Sequence, residues 1–310
     1  TLIGSTCERL DDALAAYVGG GSVGVAAARE YLGRIYIGMF DAHIANSMYT
    51  ARELQAGMRP PHVRRVHVAP PGVDAVPEVS PIRRHAARVR LRARFGITLT
   101  APLLVYAGRL APEKNVTILP EIISRVRQRI AEAQLLVVGD GPSRDAVERA
   151  AKAAAGAVHL HPHISGRDAL FAMLAAADLF VHPNGREPFG IGPLEAMAAG
   201  IPVVLPNSGG LTTYATEQNA WMARADASEL ASAAVAALVN DPERERRVEA
   251  GRRTARQFAW PVAASRMLAL QREIHLDRTE RDRFGRYRIF PVVHPSSLVV
   301  YDGNLCCESR

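Results

Sequence analysis

Glu187 and Glu195 lie in the segment REPFGIGPLEAMAAGIPVV at 186–204, with seven residues between them. Two glycines separate them, Pro193 suits the first position of a helix, and Gly200 would end that helix. Backbone N–H groups at a helix N-terminus bind phosphate oxygens. Carboxylates are poor phosphate ligands, but they accept hydrogen bonds from hydroxyl groups. The segment therefore predicts a site for a ligand that carries both phosphates and hydroxyls.

Two cations follow another predicted strand, in the segment YAGRLAPEKN at 106–115. Gly108 lets the chain leave that strand sharply, and Arg109 and Lys114 then project towards the same crevice. A planar guanidinium and a compact ammonium can share one diphosphate. Together with the two carboxylates, they predict a nucleotide-diphosphate sugar as the ligand.

Each of these features also has a simpler interpretation when taken alone. Arg109 and Lys114 fit solvated loop charges, Glu187 fits a surface acid, and Glu195 fits an acid that stabilises a helix N-terminus. GDGP at 139–142 lacks the third glycine of a dinucleotide-binding motif, which favours a plain turn. The combination favours the ligand site over these separate interpretations.

Short apolar strands alternate with helices from residue 101 onward, as in PLLVYAG, QLLVVGDG and DLFVHP. This alternation predicts an α/β fold with a parallel, Rossmann-like sheet covered by helices on both faces. Such sheets bind ligands beyond the carboxyl ends of their strands. Gly209 and Gly210 follow a later strand, where close approach to a donor and a tight turn both explain them.

The chain divides into five predicted regions. These are a shortened amino-terminal domain at 1–75, a linker with a basic helix at 76–100, a nucleotide-sugar-binding domain at 101–260, a helix crossing back at 261–276, and a tail of unknown structure at 277–310.

The composition is that of a globular protein, with 48% hydrophobic and 22% charged residues. Lys and Arg number 38 against 31 Asp and Glu, which favours anionic partners. No aromatic-interleaved basic platform occurs, so nucleic-acid binding is not expected. Cys7, Cys306 and Cys307 form no metal-ligand or disulfide pattern, and no segment has transmembrane length. We expect a cytoplasmic protein.

The segments GRLAPEKN, EPFGIGPLEAMAAGIPVV and NSGG together resemble the carboxyl-terminal half of the family-4 retaining glycosyltransferases, which have the GT-B fold. The resemblance extends over about residues 35–275 and is most specific at 103–215. It implies two Rossmann-like domains, with Pro71 to Asp74 closing the first.

The resemblance also implies roles for individual residues. Arg109 and Lys114 would hold the donor diphosphate, Glu187 the hydroxyls of the donor sugar, and Glu195 the ribose. The nucleotide base would lie near Ile164. The backbone of three residues would approach the sugar and phosphates: Phe189, Gly190 and Ile191.

The implied reaction transfers a sugar to an acceptor hydroxyl with retention at the anomeric carbon. Positive groups would stabilise the charge that develops on the departing diphosphate. That scheme requires no metal and no cofactor beyond the donor substrate, so we expect a metal-independent enzyme. The acceptor is open between a lipid-linked molecule and a saccharide, and the sequence does not indicate the oligomeric state.

The first domain departs from the family pattern because only about 75 residues precede the linker. His43, His62 and His67 do not occupy the position of the family's histidine, so we expect them to pack or to lie on the surface. The chain thus resembles a truncated transferase, with a non-catalytic nucleotide-sugar-binding module as the main alternative. A nucleotide-sugar epimerase fits the EPFG loop less well.

The basic helix RRHAARVRLRARF has two interpretations. Its arginines fit a solvated face of a linker helix, and they also fit peripheral contact with anionic lipid at the inner membrane surface.

Overall fold

A computed structural model describes residues 1–10, 21–59, 65–74 and 80–284 of the chain. The strands in these ranges form two parallel sheets, one of three and one of six strands. This confirms the predicted α/β fold with one Rossmann-like domain and a smaller second domain. Several predicted features lie outside the described residues. They are His62, residues 76–79 of the predicted linker, and the tail beyond residue 284 with Cys306 and Cys307.

The smaller sheet is built from three short strands in chain order: β1 (Ile3–Thr6), β2 (Ala42–Ala45) and β3 (Arg65–Val68). Helix α1 (Gly21–Tyr31) continues into a π-helical turn at Leu32–Tyr36, and α2 (Met48–Gly57) follows β2. The hydroxyl of Ser47 accepts a hydrogen bond from the Thr50 N–H, so Ser47 caps the N-terminus of α2.

The larger sheet has the order β6-β5-β4-β7-β8-β9. Its strands are β4 (Leu103–Ala107), β5 (Gln134–Val138), β6 (Val158–His161), β7 (Leu179–Val181), β8 (Val203–Pro206) and β9 (Trp221–Ala223). Successive strands are added on one side of β4 and then on the other. The loops after β4 and β7 therefore diverge and leave a crevice at the carboxyl edge.

Eight helices follow the smaller sheet within the described residues: α3 (Pro81–Phe95), α4 (Leu119–Arg127), α5 (Arg144–Ala151), α6 (Arg167–Ala176), α7 (Ile191–Ala199), α8 (Ala227–Val239), α9 (Asp241–Gln257) and α10 (Trp260–Phe284). Helix α4 ends at Arg127, where the chain closes in turns, and the Ala133 N–H bonds the Ile130 carbonyl.

The apolar runs of the larger sheet are buried on both of its faces. Leu103 and Val105 belong to one core cluster, and Leu104 and Tyr106, which alternate with them, belong to the other. All four side chains are at most 1% exposed. Burial on both faces explains why these strands are continuous apolar runs in the sequence.

Helix α3 buries part of its basic face, which neither interpretation of the basic segment included. It packs against α6, and arginines four residues apart turn inward from one face of the helix. Arg84 donates to the carbonyls of Ala199 and Gly200, whereas Arg88 and Arg92 bind the carboxylate of Asp178. Burial lowers the pKa of Arg92, and the charge of Asp178 opposes that shift. Only part of the basic surface therefore faces solvent, including Arg83, Arg90 and Arg94.

Helix α10 extends the helix predicted over 261–276 and packs against the smaller sheet. Ile274 is buried with Ala42 and Ile44 of that sheet and with Ala69, which directly follows β3. Where α10 begins, the Val73 N–H donates to the Phe258 carbonyl at 2.8 Å, and the Trp260 N–H donates to the Val73 carbonyl at 3.0 Å. The two passages of the chain between the sheets are thus hydrogen-bonded to each other.

Candidate functional site

A cleft of about 540 Å³ lies between the two sheets. The larger sheet contributes the loops after β4 and β7, and the smaller sheet contributes the ends of β1 and β2. The predicted residues that line the cleft are Gly108, Arg109, Lys114, Glu187, Phe189, Gly190 and Ile191. The site predicted from two separate loops is therefore gathered at one edge of the sheet.

Lys114 and Glu187 form an ion pair at the cleft, in which the carboxylate is buried and the ammonium is partly buried. The Lys114 Nζ lies 2.8 Å from Oε1 and 3.0 Å from Oε2 of Glu187. Glu187 is 7% exposed, so it is not the surface acid of the simpler interpretation. Burial alone would raise its pKa, but the hydrogen bond from His182 and the charge of Lys114 lower the pKa to about 2. The carboxylate is therefore ionised at neutral pH.

Two further hydrogen-bond donors to Glu187 were not predicted from the sequence. The His182 Nε2 lies 3.0 Å from Oε2, and the Asn184 Nδ2 donates to the same oxygen at 3.1 Å. Both side chains are buried at the carboxyl end of β7. The available signal was a histidine and an asparagine five and three positions before the glutamate.

Tyr106 lies behind this group and links it to the arginine loop. Its ring stacks on His182 with 6.2 Å between centroids, and its hydroxyl donates to the Arg109 carbonyl at 3.0 Å. Burial, aided by the charge of Glu187, raises the pKa of Tyr106 far above its ordinary value. The hydroxyl therefore remains protonated and can act as a donor.

The GDGP turn fixes the loop that carries Arg109. The Leu110 N–H donates to the Asp140 carbonyl at 2.9 Å. A Cβ on Gly139 would lie 1.9 Å from the Gly108 carbonyl oxygen, so the two loops pack backbone to backbone. The Arg109 side chain is 59% exposed and lies 3.8 Å from Glu113. The turn interpretation of GDGP is consistent with this packing.

The N-terminus of α7 opens into the cleft. The helix begins at Ile191, two residues before the predicted start, because Gly190 adopts a positive φ of 90° and turns the chain. The Phe189 ring is 2% exposed and packs against Tyr214 with 5.3 Å between centroids. Since this ring lies in the core, only the backbone of Phe189 is placed to approach a ligand.

Glu195 lies one turn further along α7 and is held by Arg167. The Arg167 Nη1 lies 3.2 Å from its Oε1, and Arg167 also binds Asp74 of the segment that closes the first domain. Burial raises the pKa of Glu195, and the charge of Arg167 only partly opposes that shift. Glu195 is not among the residues that line the cleft.

Three other predicted donor residues also lie away from the cleft lining. Ile164 is half-buried against the core. The Gly210 N–H donates to the Glu187 carbonyl at 2.6 Å, and a Cβ on Gly209 would lie 2.8 Å from the Gly185 carbonyl oxygen. The two glycines thus support the back of the Glu187 loop. Contact of these three residues with a donor stays a prediction.

The smaller sheet contributes Ser5, Cys7, Glu8 and Asn46 to the opposite wall. The Ser47 hydroxyl joins the walls, since it donates to the Pro188 carbonyl at 2.5 Å. His43 is fully buried and its Nε2 lies 3.2 Å from the Ile37 carbonyl oxygen, so it packs as expected.

No group of three or more His, Cys, Asp or Glu side chains that could hold a metal ion occurs in the described ranges. None of the helices in the described part of the chain is long and apolar enough to cross a membrane. Metal independence and peripheral membrane contact both stay predictions.

Residues 88–254, more than half of the chain, match the family model of the group 1 glycosyl transferases. A GDP-mannose-dependent phosphatidylinositol dimannoside mannosyltransferase from Mycobacterium tuberculosis is 36% identical over 60% of this chain and 47% of its own. A D-inositol 3-phosphate glycosyltransferase from Xylanimonas cellulosilytica is 32% identical over 78% and 58%, respectively. The chain spans about half the length of these relatives.

Solved structures share the fold. HepE from Anabaena, in complex with UDP and glucose, superposes with a TM-score of 0.70 at 20% identity, covering 87% of this chain and 71% of HepE. Sucrose-phosphate synthase from Thermosynechococcus elongatus gives 0.71 at 22% identity, covering 89% of this chain and 68% of the synthase. The two parallel sheets thus have the GT-B arrangement.

Proposed function

Because the chain belongs to the group 1 glycosyl transferases, we propose that it transfers a hexose from a nucleotide-diphosphate sugar to an acceptor hydroxyl, with retention of anomeric configuration. The observation that carries this proposal is the ionised, buried Glu187 paired with Lys114 beside the N-terminus of α7. One cleft then offers an acceptor for sugar hydroxyls, cations for a diphosphate and backbone N–H donors for phosphate oxygens.

The leaving group determines the chemical role of these residues. As the bond between sugar and diphosphate breaks, negative charge grows on the diphosphate oxygens. Arg109 and Lys114 stabilise that charge, and Lys114, which Glu187 already holds in place, does so with little reorganisation. Glu187 accepts hydrogen bonds from the hydroxyls of the sugar. Glu195 accepts hydrogen bonds from the ribose hydroxyls after the ligand displaces Arg167 from it.

The relatives suggest which ligands to test first. The mycobacterial relative is named for GDP-mannose and a phosphatidylinositol mannoside, and the Xylanimonas relative for inositol 3-phosphate. The structural neighbour HepE is described with UDP. We therefore propose GDP-mannose as the first donor and an inositol-bearing acceptor, either free or lipid-linked, with UDP-glucose as the competing donor.

Calorimetric titration of the chain with GDP-mannose and UDP-glucose tests the donor site. Arg109→Ala and Glu195→Ala should each weaken binding about tenfold or more, which is the size of one lost charged hydrogen bond. Arg129→Ala is the matched control, because this exposed arginine lies between α4 and β5, at the opposite edge of the sheet. Equal affinities in all variants, or no binding by the wild type, would overturn the proposal.

Incubation with donor and inositol 3-phosphate, followed by NMR of the product, tests transfer and its stereochemistry. Binding without turnover would favour the non-catalytic module, and an epimerised donor without acceptor would favour an epimerase. Repeating the assay with EDTA tests metal independence.

A further inference from the structure

We propose that His182 is a positioning residue that, together with Asn184, orients the Glu187 carboxylate so that Oε1 is the oxygen offered to the donor sugar. This inference rests on the proposed function, since it assigns the atom through which Glu187 would act.

The two oxygens of Glu187 have different surroundings. Oε2 has three donors: His182 at 3.0 Å, Asn184 at 3.1 Å and Lys114 at 3.0 Å. Oε1 has a single donor among the described residues, Lys114 at 2.8 Å. A carboxylate oxygen offers about two lone-pair sites. Oε2 is therefore saturated, whereas Oε1 retains capacity for a sugar hydroxyl.

The geometry also identifies the ring nitrogen of His182 that donates to Glu187. An ionised carboxylate only accepts hydrogen bonds, so the Nε2 atom that faces Glu187 must carry a proton. Nδ1 is buried and has no hydrogen-bond partner within the described structure. The ring therefore donates to Glu187 through Nε2.

The surrounding groups leave the ring little freedom. His182 is 5% exposed, and one of its faces stacks on Tyr106. Tyr106 is itself fixed through its hydroxyl to the Arg109 carbonyl. Asn184 is fixed as well, because its Oδ1 accepts from the Arg186 N–H at 2.9 Å. Two rigid donors on one oxygen set the rotation of the carboxylate, as supporting hydrogen bonds do at other sites.

A pair of conservative substitutions separates this role from general packing. The amide nitrogen of glutamine can occupy the place of Nε2, whereas asparagine is shorter and ends near the place of Nδ1. His182→Asn should weaken the affinity for the nucleotide sugar about tenfold and leave the affinity for the nucleotide diphosphate unchanged. His182→Gln should recover most of that loss.

The experiment is calorimetric titration of each variant with GDP-mannose and GDP, and with UDP-glucose and UDP. His159→Asn is the control, because this histidine bonds Gln134 at the far edge of the same sheet. Equal losses for the sugar nucleotide and the diphosphate, or failure of His182→Gln to recover affinity, would overturn the inference. If the wild type binds neither donor, the proposed function itself fails.

Thermal melting shows whether His182→Asn is folded. Asn184→Ala provides a second test, since it removes the other donor to Oε2 and leaves His182 in place. Asn184→Ala should also weaken the affinity for the nucleotide sugar more than the affinity for the nucleotide diphosphate. An unchanged ratio of these two affinities in a folded Asn184→Ala protein would overturn the inference.

Discussion

The two ends of the segment from Glu187 to Glu195 hold their carboxylates by different means. Glu187 is surrounded by three donor side chains, and its pKa falls to about 2 despite burial. Glu195 has one partner, Arg167, and burial raises its pKa. One carboxylate is therefore fixed in its charged form, and the other is held by a single half-exposed partner. Preorganisation is concentrated at the end where the sugar would react.

The largest expected loss of stability comes from removing Lys114, the cation paired with Glu187. Lys114→Met leaves Glu187 buried without its ion-pair partner, and we expect the free energy of unfolding to fall by about 3 kcal/mol. Urea denaturation measures this change. Arg125→Met, which breaks an exposed pair with Glu121, is the control and should cost less than about 1 kcal/mol. Equal losses in the two variants would remove the distinction between the buried and exposed pairs.

The next largest loss of stability is expected from a substitution at Gly210, which packs behind the Glu187 loop. A Cβ on Gly210 would lie 1.8 Å from the Pro188 carbonyl oxygen, so Gly210→Ala must displace the Glu187 loop. We expect a loss of about 1–3 kcal/mol of stability and weaker binding of the nucleotide sugar.

Gly251→Ala is the matched control for this substitution. Gly251 lies in α9, and the nearest atom to its added Cβ is the flexible Met197 side chain at 3.3 Å. Alanine also favours helix over glycine. If Gly210→Ala were tolerated as well as Gly251→Ala, the loop would be more adaptable than its packing indicates.

A smaller change, this time a gain in stability, is expected when Glu195 is replaced by glutamine. Its pKa in the folded state is raised above the ordinary value, so ionisation destabilises the fold as pH rises through that pKa. Glu195→Gln should therefore melt at a higher temperature than the wild type at pH 7. Below about pH 4, where the carboxyl is protonated in both states, the gain should vanish. A gain that is independent of pH would show that charge is not its cause.

The smallest change in stability is expected for Arg167→Gln. Arg167 is half-exposed, so its pairs with Asp74 and Glu195 contribute less than about 1 kcal/mol to stability. Its loss should raise the pKa of Glu195 further, because Arg167 is the group that lowers it. Carboxyl titration by NMR measures this shift, and an unchanged titration would mean that Arg167 does not stabilise the charge of Glu195.

The sequence predicts the fold and the cleft because both depend on repeated patterns. Apolar runs define the strands of the larger sheet, and the edge of that sheet brings Arg109, Lys114 and Glu187 together. The inward-facing arginines of α3 were not predicted, since their partner Asp178 lies about 86 residues away in the chain.

The surroundings of the two carboxylates were predicted less well than the residues themselves. His182 ends an apolar strand and Asn184 begins a loop, so neither stands out by type or spacing. Arg167 meets Glu195 only because the loop after β6 turns back towards α7. Such contacts depend on distances between loops, which periodicity does not encode.

The hydrogen bonds between Val73 and the start of α10 determine how the two sheets can move. A single connecting segment would permit both bending and twisting of one sheet relative to the other. Here two segments cross side by side and are joined at Val73 and Ala259. Motions that separate the two segments would break these hydrogen bonds, so the paired crossing restricts displacement of one sheet relative to the other more than a single connecting segment would.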